Sequence, residues 1–360
     1  MKLLVMYNSK SSLDRIQSIK KILSKKVNFS YFDIKHFYKK NNFQENKFIK
    51  FLEKKKPNLI LDLLPIPNNA LNSEKYLELI NKLYKLRKII KKSNIKTLKI
   101  SYSWINRFDI SPFKFFLLFR NLFFYFKNFY LKNIYRFNIT DYTILTGNKC
   151  ENNEKYFNSK KIYFKHYDYL AKPNAKYVKN RIIYIDQYLE AHPDFVRYGL
   201  KFITKKKFSS EIKSFFDKLE AKGYKVVVAL HPKNTSKDLK NIYGNRIFIK
   251  NKTFELINNS YAVITHCSTA IHFAVQSNKP ILFILTDELE KTFLGDRIFS
   301  QAKFFKHLPI NISNRQLKSS DIIIPKIKKK IYENYTRRFL RHDLYVNDTK
   351  FKQEFLKLIL

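Results

Sequence analysis

Three stretches of this 360-residue chain carry an apolar run straight into residues that can do chemistry. In "IIYIDQYLEAHPDF" (182–195), Asp186 ends the run, and Glu190, His192 and Asp194 follow within one loop. In "VVVALHPKN" (226–234), His231 ends the run and is followed by Pro232 and Lys233. In "VITHCSTAIHFAV" (263–275), His266, Cys267, Ser268 and Thr269 stand where a strand becomes a helix. A carboxylate at a strand end can take a proton from a hydroxyl as a general base. An imidazole before a proline sits on a backbone with one fixed dihedral and can donate to a phosphate oxygen or a leaving group. Hydroxyls at a helix start can join the turn's N–H groups in holding an anion. Each stretch also has a plainer reading: a turn, a structural histidine, a helix cap.

The third stretch admits four uses. Phosphate recognition fits the Ser268 and Thr269 hydroxyls and the helix start. A nucleophile fits less well, because no G-x-S-x-G elbow surrounds Ser268. A metal fits less well again, since His266 and His272 are six apart, which is not a shared helical face. A pure N-cap needs only Ser268 or Thr269.

The elements that must position these residues alternate. "KLLVMYN", "NFSYFDI", "PNLILDLLP", "IKTLKISYS", "DYTILTG" and "KKIYFKHYDY" read as strands, with amphipathic helical stretches between the first four. After a polar linker at 170–180, "RIIYID", "KVVVALHP", "RIFIKN", "YAVITHC" and "KPILFILT" read as a second set, again with helices between. Strands alternating with helices predict an α/β protein with parallel sheets. The expected organisation is an N-terminal domain over 1–175, a C-terminal domain over 176–330, and a terminal segment over 331–360 packing back on the first. "PKIKKKIYENYTRRFLRHDLY" is expected to be one basic helix. In open α/β sheets ligands sit at the carboxyl ends of the strands, which is where all three stretches lie.

Residues 111–137, "SPFKFFLLFRNLFFYFKNFYLKNIYRF", interrupt the alternation. On a helical wheel Lys114, Asn121, Asn128 and Lys132 share one side, and Leu122, Phe126 and Phe129 the other. This predicts either a core helix or a basic aromatic helix lying in a membrane surface. The chain has 71 Lys and Arg against 29 Asp and Glu, a formal net charge of +42. A field this positive favours anionic partners: phosphate-bearing substrates, anionic lipid or nucleic acid. No nucleic-acid-binding motif accompanies the charge. Two cysteines far apart suit a reducing cytoplasm, and the short N-terminal apolar run reads as a first strand rather than a signal segment; the positive charge is expected to hold the protein peripherally at the inner membrane. Five glycines leave no Walker A loop and no G-x-G-x-x-G fingerprint.

Taken in order, "HYDY … YIDQYLEAHPDF … ALHPKN … ITHCSTAIHFAV … KPILFI" resembles the bacterial GT-B sialyltransferases and polysialyltransferases over roughly residues 160–285. It also resembles proteins of bacterial surface-polysaccharide gene clusters. The resemblance implies a GT-B fold, two Rossmann-like domains facing a central cleft. It makes His231 and Pro232 the HP motif, and Ser268 with Thr269 the Ser/Thr motif, both binding the CMP moiety of the donor, with Lys233 and His266 beside them. The acidic motif of those enzymes has no counterpart here, so Asp186, or Glu190, is expected to be the base. The implied activity is inverting transfer of a nonulosonic acid (sialic, legionaminic or pseudaminic type, or Kdo) from a CMP-sugar to a lipooligosaccharide or capsule acceptor. His231 would act on the leaving phosphate. No cofactor or metal is expected, as CMP leaves with a single phosphate and no D-x-D triplet is present. The alternatives are a UDP-sugar or CDP-alditol donor on the same scaffold, and a non-enzymatic basic protein coating membrane or nucleic acid.

Overall fold

The computed structural model describes residues 1–7, 13, 15–34, 45–64, 74–102, 140–154, 159–169, 178–191 and 203–359. The stretch 111–137, most of the 170–180 linker, His192 and Asp194 lie outside the described residues. Those that are described divide into two compact units. The first holds residues up to 167 and those from Arg337 onward; the second holds Asp168–Thr336.

The first unit is built on six parallel strands: β1 (Lys2–Tyr7), β2 (Asn28–Asp33), β3 (Leu59–Asp62), β4 (Lys96–Ser101), β5 (Tyr142–Leu145) and β6 (Lys160–Tyr163). Their order is β2-β1-β3-β4-β5-β6. Side chains alternate between sheet faces, and both faces are covered. Leu3, Val5, Leu59 and Leu61 enter one core with Ile19 and Leu23 of α1 (Gln17–Leu23). Leu4, Met6 and Ile60 enter the other with Phe48 and Leu52 of α2 (Glu45–Lys55) and with Leu83 and Leu86 of α3 (Glu74–Lys92). Burial on both faces is why β1 reads as an unbroken apolar run rather than an alternation.

A short helix, α4 (Lys149–Glu154), follows β5. The second unit repeats the plan with β7 (Arg181–Ile185), β8 (Lys225–Leu230), β9 (Ile247–Lys250), β10 (Ala262–Thr265), β11 (Ile281–Leu285) and β12 (Ile310–Asn311), all parallel. The order β9-β8-β7-β10-β11-β12 is that of a doubly wound nucleotide-binding sheet, which reverses direction between β7 and β10. The crossover from β7 to β8 is α5 (Lys205–Glu220), which buries Phe208, Ile212, Phe215, Phe216 and Leu219 at helical spacing. Shorter helices make the other connections: α6 (Leu239–Tyr243), α7 (Thr253–Asn258), α8 (Ile271–Gln276), α9 (Asp287–Glu290) and α10 (Phe293–Phe304). Two residues of β12 were too few to register as a periodic signal.

The basic segment after 320 corrects one expectation. It is not one helix. Residues 322–328 form neither helix nor strand, α11 spans Lys329–Tyr335, a π-helical turn covers Thr336–Leu340, and α12 runs Asp348–Ile359. Tertiary bonds outcompete the helix. Tyr332 donates its hydroxyl to the Lys279 carbonyl at 2.7 Å, and Tyr335 pairs with His272 Nδ1 at 2.9 Å. At the end of the π-turn, within the first unit, the His166 N–H donates to the Leu340 carbonyl at 2.7 Å. Gly147 lies so close there that an added Cβ would stand 2.5 Å from the Arg338 carbonyl oxygen. Phe351 and Phe355 of α12 then join the β1/β3 core. Among the described residues no helix is long and apolar enough to cross a membrane.

Candidate functional site

The reversal between β7 and β10 is where an open sheet of this order leaves a crevice for a ligand. Asp186, the residue after β7, is 2% exposed. Its Oδ1 accepts the Tyr188 N–H at 2.7 Å and the Tyr243 hydroxyl at 2.8 Å. Its Oδ2 accepts the His231 N–H at 3.0 Å and the Asn234 side-chain amide at 2.8 Å. Two bonds on each oxygen leave no lone pair to receive a substrate proton. Asp186 as the general base is therefore corrected: its geometry is that of an anchor. It holds Tyr188 in a left-handed conformation (φ 52°) through an Asx turn, and it hangs the 231–236 loop from the sheet.

That loop is fixed at several points. The Asn234 N–H donates to the His231 carbonyl at 2.8 Å, its side-chain oxygen accepts the Ser236 N–H at 2.9 Å, and Lys250 Nζ donates to its carbonyl at 2.7 Å. His231 Nδ1 accepts the Lys233 N–H at 3.2 Å, so in the neutral ring the proton rides on Nε2. His231 is half-buried, and Pro232 and Lys233 are exposed. The imidazole is thus held at the sheet edge as a donor of fixed tautomer.

Across the reversal, Gln187 spans from β7 to β10. Its Oε1 accepts the Cys267 N–H at 2.8 Å, and its Nε2 lies 3.6 Å from Cys267 Sγ. Burial pushes the Cys267 thiol up, against the opposing charge of Arg297 on α10. A buried thiol held protonated is a packing group rather than a nucleophile. Ser268 follows, half-buried, its Oγ accepting the Ala270 N–H at 3.1 Å, and Thr269 is exposed. The Ser268 side chain therefore does cap its turn, while the hydroxyl proton stays available to a ligand.

His266 is a second correction. It is fully buried, packed edge-on to Tyr184 with ring centroids 6.0 Å apart and tilted against Phe208. Its Nδ1 pairs with the Ile284 carbonyl at 3.0 Å. Burial drops it to about 4 despite that bond, so it is neutral at ordinary pH. It braces β10 on β11 and does not face a donor. The reason is register: His266 continues the face of Ile264, which pairs with Tyr184, and that face is roofed by α5.

Glu190 differs from Asp186 in every respect. Both of its carboxylate oxygens are shielded from solvent, and neither is bonded to another residue. Burial raises it to about 7, with Asp186 adding repulsion, while its own backbone N–H and Lys205 relieve part of the rise. A carboxyl poised near neutrality is what general-base work requires. Sequence reasoning missed Gln187, Asn234, Tyr243 and Arg297. Gln187 and Asn234 sit beside residues already singled out, so their place in "IDQ" and "HPKN" was a usable signal. Tyr243 and Arg297 arrive from helices far along the chain and carried none.

No protein-family model matches the chain, and no curated protein does. Solved structures do. The chain is similar to MnaA of S. aureus in its co-structure with UDP, at 11% identity over 99% of this chain and 95% of that one, TM-score 0.52. It is similar to the UDP-GlcNAc 2-epimerase of Methanocaldococcus jannaschii, at 12% identity over 99% of each chain, TM-score 0.52. Arabidopsis thaliana UGT89C1 complexed with UDP-L-rhamnose matches at 9% identity over 99% of this chain and 98% of that one, TM-score 0.50. The fold is of the GT-B class. Identities this low carry the fold alone. The GT-B expectation stands, while the narrower likeness to sialyltransferases finds no counterpart among these neighbours.

Proposed function

We propose that this chain is a glycosyltransferase whose second unit binds a nucleoside-diphosphate sugar, with a UDP-sugar as the first donor to test. The observation that carries the reading is the set of polar groups held at the β7/β10 reversal: His231 fixed by Asp186, and the Ser268–Thr269 turn fixed by Gln187. Arg297 adds a cation that no carboxylate neutralises among the described residues. Its charge is felt at Cys267, next to that turn. The UDP and UDP-L-rhamnose bound by GT-B neighbours support a uridine diphosphate donor over the CMP-sugar expectation.

In this reading the His231 Nε2–H, the Ser268 and Thr269 hydroxyls and Arg297 stabilise charge developing on the departing phosphate. Lys233 adds a positive charge at the rim. Glu190 takes the acceptor hydroxyl proton as the sugar passes through an oxocarbenium-like state with inversion. The acceptor is a glycan, free or lipid-linked, and the enzyme works at the inner face of an anionic membrane. A CMP-nonulosonate donor is the second reading, favoured by the HP and Ser/Thr motifs.

The test is a product assay. UDP-sugars, CDP-alditols and CMP-sugars are each incubated with the protein and a glycan acceptor, and the released nucleotide and elongated glycan are read by mass. Release of UDP with elongation supports the first reading, and release of CMP the second. An epimerised donor with no elongation places the chain with the epimerases instead. No turnover of any donor, with a folded protein, removes the enzymatic reading.

A further inference from the structure

Within the second unit, the chain between β12 and α11 shows water a surface of unusual make-up. Ile322 is buried, and Lys222 Nζ donates to its carbonyl at 2.8 Å, which pins the start of the segment. From there residues 323–328 belong to no helix or strand. Ile323 is 72% exposed and Ile327 is 38% exposed. Lys326, Lys328, Lys329 and Lys330 are exposed around them, and none forms an ion pair among the described residues. Leu308 is 74% exposed. The charge of Lys328 is felt at His307, the residue before it, and Phe305 packs on Tyr332 at 5.5 Å. Of the nearby acids, Asp321 is engaged with the Lys318 N–H at 2.8 Å, and Glu333 lies a turn into α11.

Isolated exposed aliphatics are ordinary, but three set among four unpaired lysines are not. Water gains nothing from Ile323 and Leu308. A nucleic acid would pair with the lysines and leave both stranded. An anionic bilayer satisfies both: lysine ammoniums stay at the phosphate level while short aliphatic side chains enter the acyl boundary. We propose that residues 323–330 with Leu308 form a membrane-contact surface for anionic lipid, separate from the 111–137 stretch. The inference rests on the reading that the enzyme works at a membrane and names the face it uses.

Flotation with phosphatidylcholine vesicles, with and without phosphatidylglycerol, tests it on the full chain. The first variant is Lys326→Gln/Lys328→Gln/Lys329→Gln/Lys330→Gln, and the second is Ile323→Ser/Ile327→Ser. A control, Lys25→Gln/Lys26→Gln/Lys54→Gln/Lys55→Gln, removes the same charge from exposed positions of the first unit. The changes lie on exposed side chains, and unchanged melting curves confirm folding. Wild type is expected to float with the anionic vesicles alone. The first variant loses about a thousandfold in partitioning at low salt, and the second loses about tenfold and persists in losing at raised salt. The control stays within about threefold of wild type. Equal losses in the control and the first variant would assign binding to net charge and overturn the proposed face while sparing the membrane reading. Wild type that ignores anionic vesicles but binds an RNA oligomer overturns both.

Discussion

The Asp186 carboxylate lies 3.0 Å from the His231 backbone N–H, and this bond ties together the carboxyl ends of two neighbouring strands. It makes the position of the imidazole a property of the sheet rather than of a loop. Replacing Asp186 by Ala strands four side-chain and backbone donors in a buried site, which costs about 3–5 kcal/mol. Urea unfolding should show the fall. Asp186→Asn, which keeps one acceptor oxygen, should lose about half as much stability and still weaken nucleotide binding more than a surface substitution does.

Gln187 and Cys267 form the corresponding tie across the reversal. Gln187→Ala removes one buried acceptor from the Cys267 N–H, at a cost of about 1–2 kcal/mol. The same variant should weaken UDP binding by about tenfold, because the Ser268 turn is no longer fixed. Cys267→Ala keeps the N–H bond, so its binding should stay close to wild type. Titration calorimetry on both variants separates a tie through the backbone from a role for the thiol.

Glu190 and His266 make opposite contributions to stability against pH. Glu190 is raised from 4.5 to about 7, so the folded state holds a proton that the unfolded chain releases. Its contribution is complete below pH 4.5 and is lost as pH rises through 7. His266 is lowered from 6.5 to about 4, so its contribution is complete above pH 6.5 and is lost as pH falls through 4. Glu190→Gln should therefore flatten the decline between pH 4.5 and 7, gaining about 1–2 kcal/mol near pH 8 once solvent screening is allowed for. It should also lower transfer by about 10²–10⁴-fold. His266→Phe should flatten the acid limb and leave transfer almost unchanged.

Gly147 is the test of the return of the chain to the first unit. An added Cβ meets backbone, not a mobile side chain, so Gly147→Ala should cost about 2–4 kcal/mol. Hydrogen exchange should show the loss concentrated in residues 336–345.

The strands were legible because parallel sheets bury both faces: "LLVM", "VVVAL" and "ILFIL" could be little else. The sheet edges were legible too, since polar residues break those runs at 186, 231 and 266. What the pattern could not show was direction. His266 and Ser268 are two residues apart and would share a face of a continued strand; they part because β10 ends at Thr265 and the chain turns, leaving His266 packed on Phe208 of α5 and Ser268 half-buried in the turn. The contrast between Asp186 and Glu190 was hidden for a similar reason. Tyr243, which saturates Asp186, comes from α6, and nothing local announces it. The basic C-terminal stretch misled because its helical composition was overruled by Tyr332 and Tyr335, whose hydroxyls reach the β10–β11 connection and α8.

Nucleotide binding tests a donor site at the β7/β10 reversal most directly. The measurement is titration calorimetry with UDP, CDP and CMP, on wild type and on His231→Ala and Arg297→Ala. UDP should bind wild type more tightly than CMP does, and each substitution should weaken it by about tenfold or more. Binding of no nucleotide by folded wild type, or UDP binding untouched by both substitutions, would contradict a donor site at this edge.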